Sequence, residues 1–203
     1  MSSIVIAGDT SGSVTLAAPA VSGSSVLSLP AVTDTVAGIA ATQTLTNKSI
    51  AATQLTGTIA AARLPASSLL QLVTADYSTS NTTSSTTYII ASQGSITTTS
   101  NSSKIQIIAS FAWNAAVANS AIKIEKTISA VTTTIYTSPS WVVRNNNASL
   151  IDIVVPINYY DSPAQNSGTA ITYTISVNRV NGSGTIITNE SYTSRMQLLE
   201  ISA

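Results

Sequence analysis

Apolar and polar side chains alternate along most of the chain after Leu69, with the period of two that extended strands require. The clearest case is Ile171–Val177, where Ile, Tyr, Ile and Val occupy every second position and hydroxyl residues lie between them. Lys104–Trp113 is longer, and its imperfect alternation is typical of a strand whose two faces are both partly covered. The pattern predicts about eight to ten strands and no long helix.

Turn residues separate these runs. The Asn-Gly-Ser-Gly segment 181–184 predicts a hairpin turn, and residues 161–168 predict a loop. Gly94, at the start of the predicted strand Gln93–Thr99, is interpreted as a turn signal between that strand and Ser84–Ile90. Together these signals predict an all-β fold, with an antiparallel β-sandwich (jelly-roll-like) head over residues 69–203. The predicted strands are Leu69–Ala75, Ser84–Ile90, Gln93–Thr99, Lys104–Trp113, Ala121–Thr127, Thr133–Thr137, Trp141–Arg144, Leu150–Ile157, Ile171–Val177, Gly184–Thr188 and Met196–Ile201.

The first 76 residues differ from the rest because all ten aromatic residues lie at or beyond Tyr77. This part contains Val, Ile, Leu and Ala and almost no charge, so it is too apolar for a disordered tail. It is also too poor in large side chains to fill a core of its own. We therefore predict that it packs against copies of itself, as an extended, intertwined trimeric N-terminal shaft.

Weak internal repeats favour the same interpretation. Residues 39–43, Ile-Ala-Ala-Thr-Gln, recur as residues 50–54, and Ala18–Ser22 is echoed by Leu29–Thr33. Short repeats are typical of fibrous shafts, although Ala-rich segments are also compatible with short helices. We predict an extended N-terminal segment over residues 1–36 and a repetitive trimeric shaft over residues 37–68.

The composition excludes several kinds of chemistry. Without cysteine or histidine, the chain lacks thiolate nucleophiles, disulfides and the commonest general base and metal ligand. Eight Lys and Arg residues, scattered along the chain, form no basic stripe for phosphates. No apolar run approaches the roughly 20 residues that a membrane helix needs. We expect no cofactor, no metal, no nucleic-acid partner and no membrane insertion.

Enzymatic activity is not predicted either. Two-carboxylate glycoside hydrolysis requires a converging pair of Asp or Glu residues. Within the predicted head, Asp152 and Asp161 are a pair that sequence alone leaves open, nine residues apart. Asp161 precedes Ser-Pro and is better interpreted as capping a turn.

Six short motifs occur in order along the chain: Gly8–Leu16, Thr44–Ile50, Leu55–Ile59, Ala62–Pro65, Ile157–Pro163 and Arg195–Ile201. In this order they resemble tailed-bacteriophage tail fibres and related virion fibres of the aquatic-phage type. The resemblance implies a homotrimer, particle attachment to tail, baseplate or capsid proteins through the N-terminal segment 1–36, and a distal head that contributes to host attachment. It also implies assembly in the host cytoplasm and localisation in the virion. A capsid decoration or head-fibre protein with a purely structural role is the alternative.

Receptor recognition by such a head would depend on aromatic side chains, because few charges are present. Trp141, Tyr159 and Tyr160 are the candidates for stacking on a host cell-surface polysaccharide. A tryptophan is more often a core residue, so Trp113 and Trp141 each have that alternative. Tyr159 and Tyr160 point to opposite faces if the segment is extended, so we expect at least one to be buried.

Overall fold

The computed structural model describes residues 3–17, 20, 21, 24, 31, 49, 51, 56, 57, 59, 60, 63–138 and 142–203. The chain divides into two compact units, Met1–Thr56 and Gly57–Ala203. Most of the predicted shaft over residues 37–68, and Trp141, lie outside the described residues.

The first unit contains a β-hairpin. Strands β1 (Ser3–Ala7) and β2 (Ser13–Ala17) pair antiparallel, with Ile4 opposite Leu16 and Ile6 opposite Val14. The turn closes through a 2.9 Å hydrogen bond from the Gly8 amide to the Gly12 carbonyl oxygen. Opposed residues project to the same face of a two-stranded sheet, so the register decides how the apolar side chains are grouped.

The second unit is an antiparallel β-sandwich. The described residues contain no α-helix, and therefore none that could cross a membrane. The prediction of an all-β fold with antiparallel sheets is confirmed. Its strands are β3 (Leu69–Tyr77), β4 (Asn81–Thr83), β5 (Ile89–Thr97), β6 (Lys104–Ala115), β7 (Ala118–Ile128), β8 (Val131–Thr137), β9 (Val143–Asn145), β10 (Ile151–Asp161), β11 (Ala170–Gly182), β12 (Ile186–Thr188) and β13 (Ser194–Ile201).

The strand order is that of a jelly roll. In sheet one, β3 and β4 lie end to end beside β13 and β12, which pair with one edge of β6, and β10 pairs with its other edge. In sheet two the order is β5, β11 and β7, followed by β8 and β9 end to end. Each sheet therefore has four strand positions, connected as two Greek keys.

The core lies between the two sheets and includes the large side chains that the first unit lacks. Trp113, Phe111 and Tyr173 are among its fully buried residues. The Trp113 indole N–H donates a 2.6 Å hydrogen bond to the Ser120 hydroxyl, so its polar atom is satisfied. The interpretation of Trp113 as a core residue is confirmed.

Two turn predictions are wrong. Gly94 lies inside strand β5, where an added Cβ would come within 3.0 Å of the Ala75 Cβ and 3.1 Å of the Met196 sulfur. This glycine therefore allows close packing of the sheets and does not mark a turn. The segment 181–184 is not a hairpin turn either, because β11 belongs to sheet two and β12 to sheet one. It carries the chain from one sheet to the other.

Residues 65–68, which precede β3, lie at the end of the sandwich where β13 finishes. The Ser67 amide donates to the Ser202 carbonyl oxygen at 3.2 Å, and the Ser202 hydroxyl donates to the Pro65 carbonyl oxygen at 2.9 Å. The loops between β6 and β7, β9 and β10, and β11 and β12 lie at the opposite end, as the strand directions require.

Candidate functional site

Tyr159 and Tyr160 lie on β10, the edge strand of sheet one, and project to opposite sides of it. Tyr160 points outward and its side chain is 50% exposed. Tyr159 points toward the space between the sheets and packs against the core. The expectation that the two rings face opposite directions is therefore met.

Tyr159 helps to form a cleft at the open edge of the sandwich, between β10 and β8. Its hydroxyl donates a 2.8 Å hydrogen bond to the Ile135 carbonyl oxygen on β8. Its ring lies 5.7 Å from the Tyr136 ring, centroid to centroid, with the planes tilted by 51°. The cleft has a volume of about 240 Å³ and no charged side chain among its lining residues: Ile122, Ile124, Tyr136, Val142, Pro156, Ile157, Asn158 and Tyr159.

The cleft offers two aromatic rings and an aliphatic wall, a combination that suits a neutral ligand with one apolar side. Tyr136 is not among the candidates from sequence, although it lies within the predicted strand Thr133–Thr137. The signal that identifies it is its pairing with Ile124, which turns its ring inward toward Tyr159. Trp141 precedes the cleft residue Val142 in sequence, but lies outside the described residues.

Asp161 takes part in a buried cluster, and its interpretation as the cap of a turn is wrong. Its carboxylate accepts hydrogen bonds from the Tyr173 hydroxyl at 2.8 Å and from the Lys126 ammonium group at 3.1 and 3.2 Å. Burial, and next the negative charge of Asp161, raise the pKa of Tyr173 well above its usual range. The cluster joins β10 of sheet one to β7 and β11 of sheet two.

The structure also places Asp152 and Asp161 far apart, although the sequence alone allowed them to form a catalytic pair. Asp152 and Asp161 lie at opposite ends of β10, where they face Asn114 and Ile105 of β6. Nine steps along a strand span roughly 30 Å. Glycoside hydrolysis needs a separation of about 5–10 Å, so these two residues cannot act together on one bond.

Glu200, on β13, organises the loop between β5 and β6. Its fully buried carboxylate accepts hydrogen bonds from the Thr99 and Ser100 amides and from the Gln71 side chain. The hydroxyl groups of Thr99 and Ser103 donate to it as well. Burial by itself would raise the pKa of Glu200, but these hydrogen bonds outweigh it and hold the pKa below its usual value. Glu200 therefore connects β13 to β3 and to the loop between β5 and β6.

A second candidate surface lies on the N-terminal hairpin. The register of β1 and β2 places Ile4, Ile6, Val14 and Leu16 on one face, which we call the hairpin apolar face. Each of these side chains is half or more exposed. The other face carries Val5 and Thr15 among small residues. The hairpin is therefore amphipathic, as a segment that packs against another surface should be.

Comparisons with known proteins give only distant structural matches. No family model matches the sequence, and no curated protein matches it. A chain in the structure of infectious bursal disease virus Gx strain is 14% identical over 67% of this chain and 39% of that chain, with a TM-score of 0.34. A chain of the VP2 subviral particle of the same virus is 14% identical over 66% of this chain and 40% of that one, again with a TM-score of 0.34. The chain thus spans about two fifths of the length of these matched chains, and TM-scores at this level do not establish a shared fold.

Proposed function

We propose that the chain is a structural subunit of a tailed-bacteriophage particle, a homotrimeric fibre of the tail or baseplate that contributes to host-surface attachment. The observation that carries the proposal is the hairpin apolar face, an exposed surface on a two-stranded hairpin. The fibre-like motifs of the sequence support the same assignment.

An isolated two-stranded hairpin is marginally stable in water. Fully burying a Val, Leu or Ile side chain contributes about 1.5–3 kcal/mol, and the hairpin apolar face has four such side chains that are half or more exposed. The hairpin contains one charged residue, Asp9 at its turn, so little opposes its burial. We assign this face to attachment, in which it orders against a tail, baseplate or capsid protein of the particle.

The second unit supplies what a displayed head needs. Its core lies within one sandwich and contains the large aromatic residues Phe111, Trp113 and Tyr173. Its cleft, lined by Tyr136 and Tyr159 and without charge, suits a neutral saccharide of a host surface. In this assignment the hairpin attaches and the sandwich is displayed.

Two measurements test the proposal. Sedimentation of the purified full chain should give a species of three times 20.8 kDa, about 62 kDa, at micromolar concentration; a stable monomer would contradict the fibre assignment. Imaging of assembled particles with a tagged chain should place it on the tail or baseplate. A position on the capsid would favour the decoration or head-fibre alternative.

A matched pair of variants tests the role of the hairpin. Ile6→Asp introduces a charge on the hairpin apolar face, and Thr15→Asp introduces the same charge on the opposite face. We expect Ile6→Asp chains to be absent from particles and Thr15→Asp chains to be incorporated. Equal incorporation of both would show that this face is not the attachment surface.

A further inference from the structure

The two outer faces of the sandwich have different chemistry. The outer face of sheet two, which we call the hydroxyl face, is covered by short polar side chains that bond to one another. Ser95 and Thr172 share a 2.7 Å hydrogen bond, and Thr127 and Thr132 share one of 2.8 Å. The face is suited to water. Its residues are Gln93, Ser95, Thr97, Lys123, Glu125, Thr127, Thr132, Thr134, Thr137, Thr172 and Thr174.

The outer face of sheet one carries large apolar side chains instead. The register places Leu72 in one row with Leu199 and Tyr160, and Ile108 in the next row. Val154 lies further along β10 and is 58% exposed. We call this surface the apolar sheet face, and its residues are Leu69, Leu72, Ile108, Val154, Pro156, Tyr160, Leu199 and Ile201.

The size of the apolar sheet face is that of an interaction surface. Leu69, Leu72, Val154 and Tyr160 are each half or more exposed, and exposed apolar surface of a few hundred Å² often marks an interaction site. A standard interface takes roughly 800 Å² from each partner, so the polar residues between and around them would be part of the contact. Because the hydroxyl face lies on the other side of the same sandwich, a partner would cover only one side.

The charge of the face favours a second copy of the same chain as that partner. Arg195 and Asp76 lie on this face and form an ion pair at 2.9 Å, so their charges balance each other. Lys104 and Asp152 lie at the margins of the face. A neutral face meets a copy of itself without repulsion between like charges. The whole chain has a formal net charge of zero, which also permits close self-association.

The shape of the face supports packing through side chains rather than strand addition. A groove of about 300 Å³, lined by Ile108, Pro156, Arg195 and Gln197 among others, runs beside the projecting rings and methyl groups. Pro156, in the middle of the edge strand β10, removes a backbone donor and so interrupts any further strand pairing there. Copies would therefore meet through the side chains of this face around a common axis, with a side chain of one in the groove of the next.

We propose that the apolar sheet face is the surface through which the heads of neighbouring copies pack against each other. The proposal rests on the proposed function, since it assumes an oligomeric fibre, and it specifies which part of the head is inside the oligomer. Tyr160 then belongs to the contact between copies rather than to receptor recognition.

The absence of cysteine from the sequence makes a direct test possible. Val154→Cys places a single thiol on the apolar sheet face, and Thr134→Cys places one on the hydroxyl face. Both positions are exposed in the single chain. In the purified full chain at micromolar concentration, a bulky maleimide should modify the Val154→Cys thiol at least tenfold more slowly than the Thr134→Cys thiol. In denaturant the two rates should be equal.

The mass of each variant is measured by sedimentation in parallel, so that the two proposals fail separately. Equal labelling rates in a species of trimer mass would overturn the packing of heads through this face and leave the fibre assignment intact. Protection of Val154→Cys in a monomer would also overturn it, because the chain would then cover its own face. A monomer with equal rates would overturn both proposals.

A second variant links the protection to the face itself. Tyr160→Lys, added to Val154→Cys, places a charge in the proposed contact, and Thr174→Lys is its counterpart on the hydroxyl face. We expect Tyr160→Lys to abolish the protection and Thr174→Lys to retain it, even if the shaft keeps the chains together. Protection unchanged by Tyr160→Lys would contradict the proposal.

Discussion

Tyr159 and Tyr160 are adjacent in sequence, and the structure gives them opposite roles. Tyr159 packs against the core and bonds to Ile135, whereas Tyr160 is half exposed. We expect Tyr159→Ala to lower the stability of the head by about 2–4 kcal/mol, because it leaves a cavity beside Tyr136. In a single, unassociated head, Tyr160→Ala should change it by less than about 1 kcal/mol, because only the proposed contact between copies would bury this ring. Thermal unfolding of both variants at a concentration where the head is monomeric checks this, and a larger loss for Tyr160→Ala would contradict the orientation of β10.

The pH dependence of the free energy of unfolding tests whether the Glu200 carboxylate stabilises the fold. Its pKa in the folded state lies below the ordinary value of about 4.3. A carboxylate of this kind stabilises the folded state above its ordinary pKa, and the contribution is lost as the pH falls through the folded-state pKa. Glu200→Gln should therefore lower the free energy of unfolding at pH 7 by about 2 kcal/mol and reduce its decline between pH 5 and pH 3. Denaturant unfolding across this range measures both effects, and an unchanged acid dependence would contradict the assignment.

At the scale of elements, the connection between β11 and β12 packs closely against the one between β6 and β7. The Gly184 amide donates to the Val117 carbonyl oxygen at 3.1 Å, and a Cβ on Gly184 would lie 1.6 Å from the Ala116 carbonyl oxygen. Val117 itself has a φ of 47°, which a β-branched residue rarely adopts. Backbone strain of this kind requires support from its neighbours, and it often occurs near binding sites.

Replacing Gly184 should therefore lower the free energy of unfolding far more than replacing a glycine that has a positive φ but open space around it. We expect Gly184→Ala to lower the free energy of unfolding by about 3 kcal/mol or more, because the backbone of two loops must separate. Gly168→Ala is the matched control: Gly168 has a φ of 86° and open space around it, so its loss should be about 1 kcal/mol. The midpoints of denaturant unfolding compare the two variants. An equal loss of unfolding free energy in both would show that the two loops can separate at little cost.

At the scale of the whole molecule, the second unit should fold without the first. A fragment beginning at Arg63 retains the hydrogen bonds of Pro65, Ser67 and Ser68 to Ser202, whereas one beginning at Leu69 loses them. We expect both fragments to give a β-type circular dichroism spectrum, with the shorter one less stable by about 1–3 kcal/mol. An unfolded Arg63 fragment would show that the sandwich depends on the N-terminal half.

Local pattern and composition are enough to predict one group of features. Period-two alternation predicts the strands β6, β7, β10 and β11 to within a few residues, because one buried face imposes it whatever the partner strand. The burial of Trp113 follows from its size and its apolar neighbours. The absence of cysteine and histidine excludes thiolate and imidazole chemistry whatever the fold, because no arrangement of strands can supply a missing side chain.

Features that join distant parts of the chain depend instead on how the strands and sheets pack. Glu200 bonds to Thr99, 101 residues away, and Lys126 bonds to Asp161, 35 residues away. Neither pair has a sequence signal, because a single carboxylate or ammonium group looks the same whether it is solvated or paired. The turn predicted at Gly94 is wrong for the same reason, since the close approach of this residue to Met196 depends on how the sheets stack. Alternation places Tyr159 and Tyr160 on opposite faces, but the pairing of β10 with the edge of β6 determines which ring is inside.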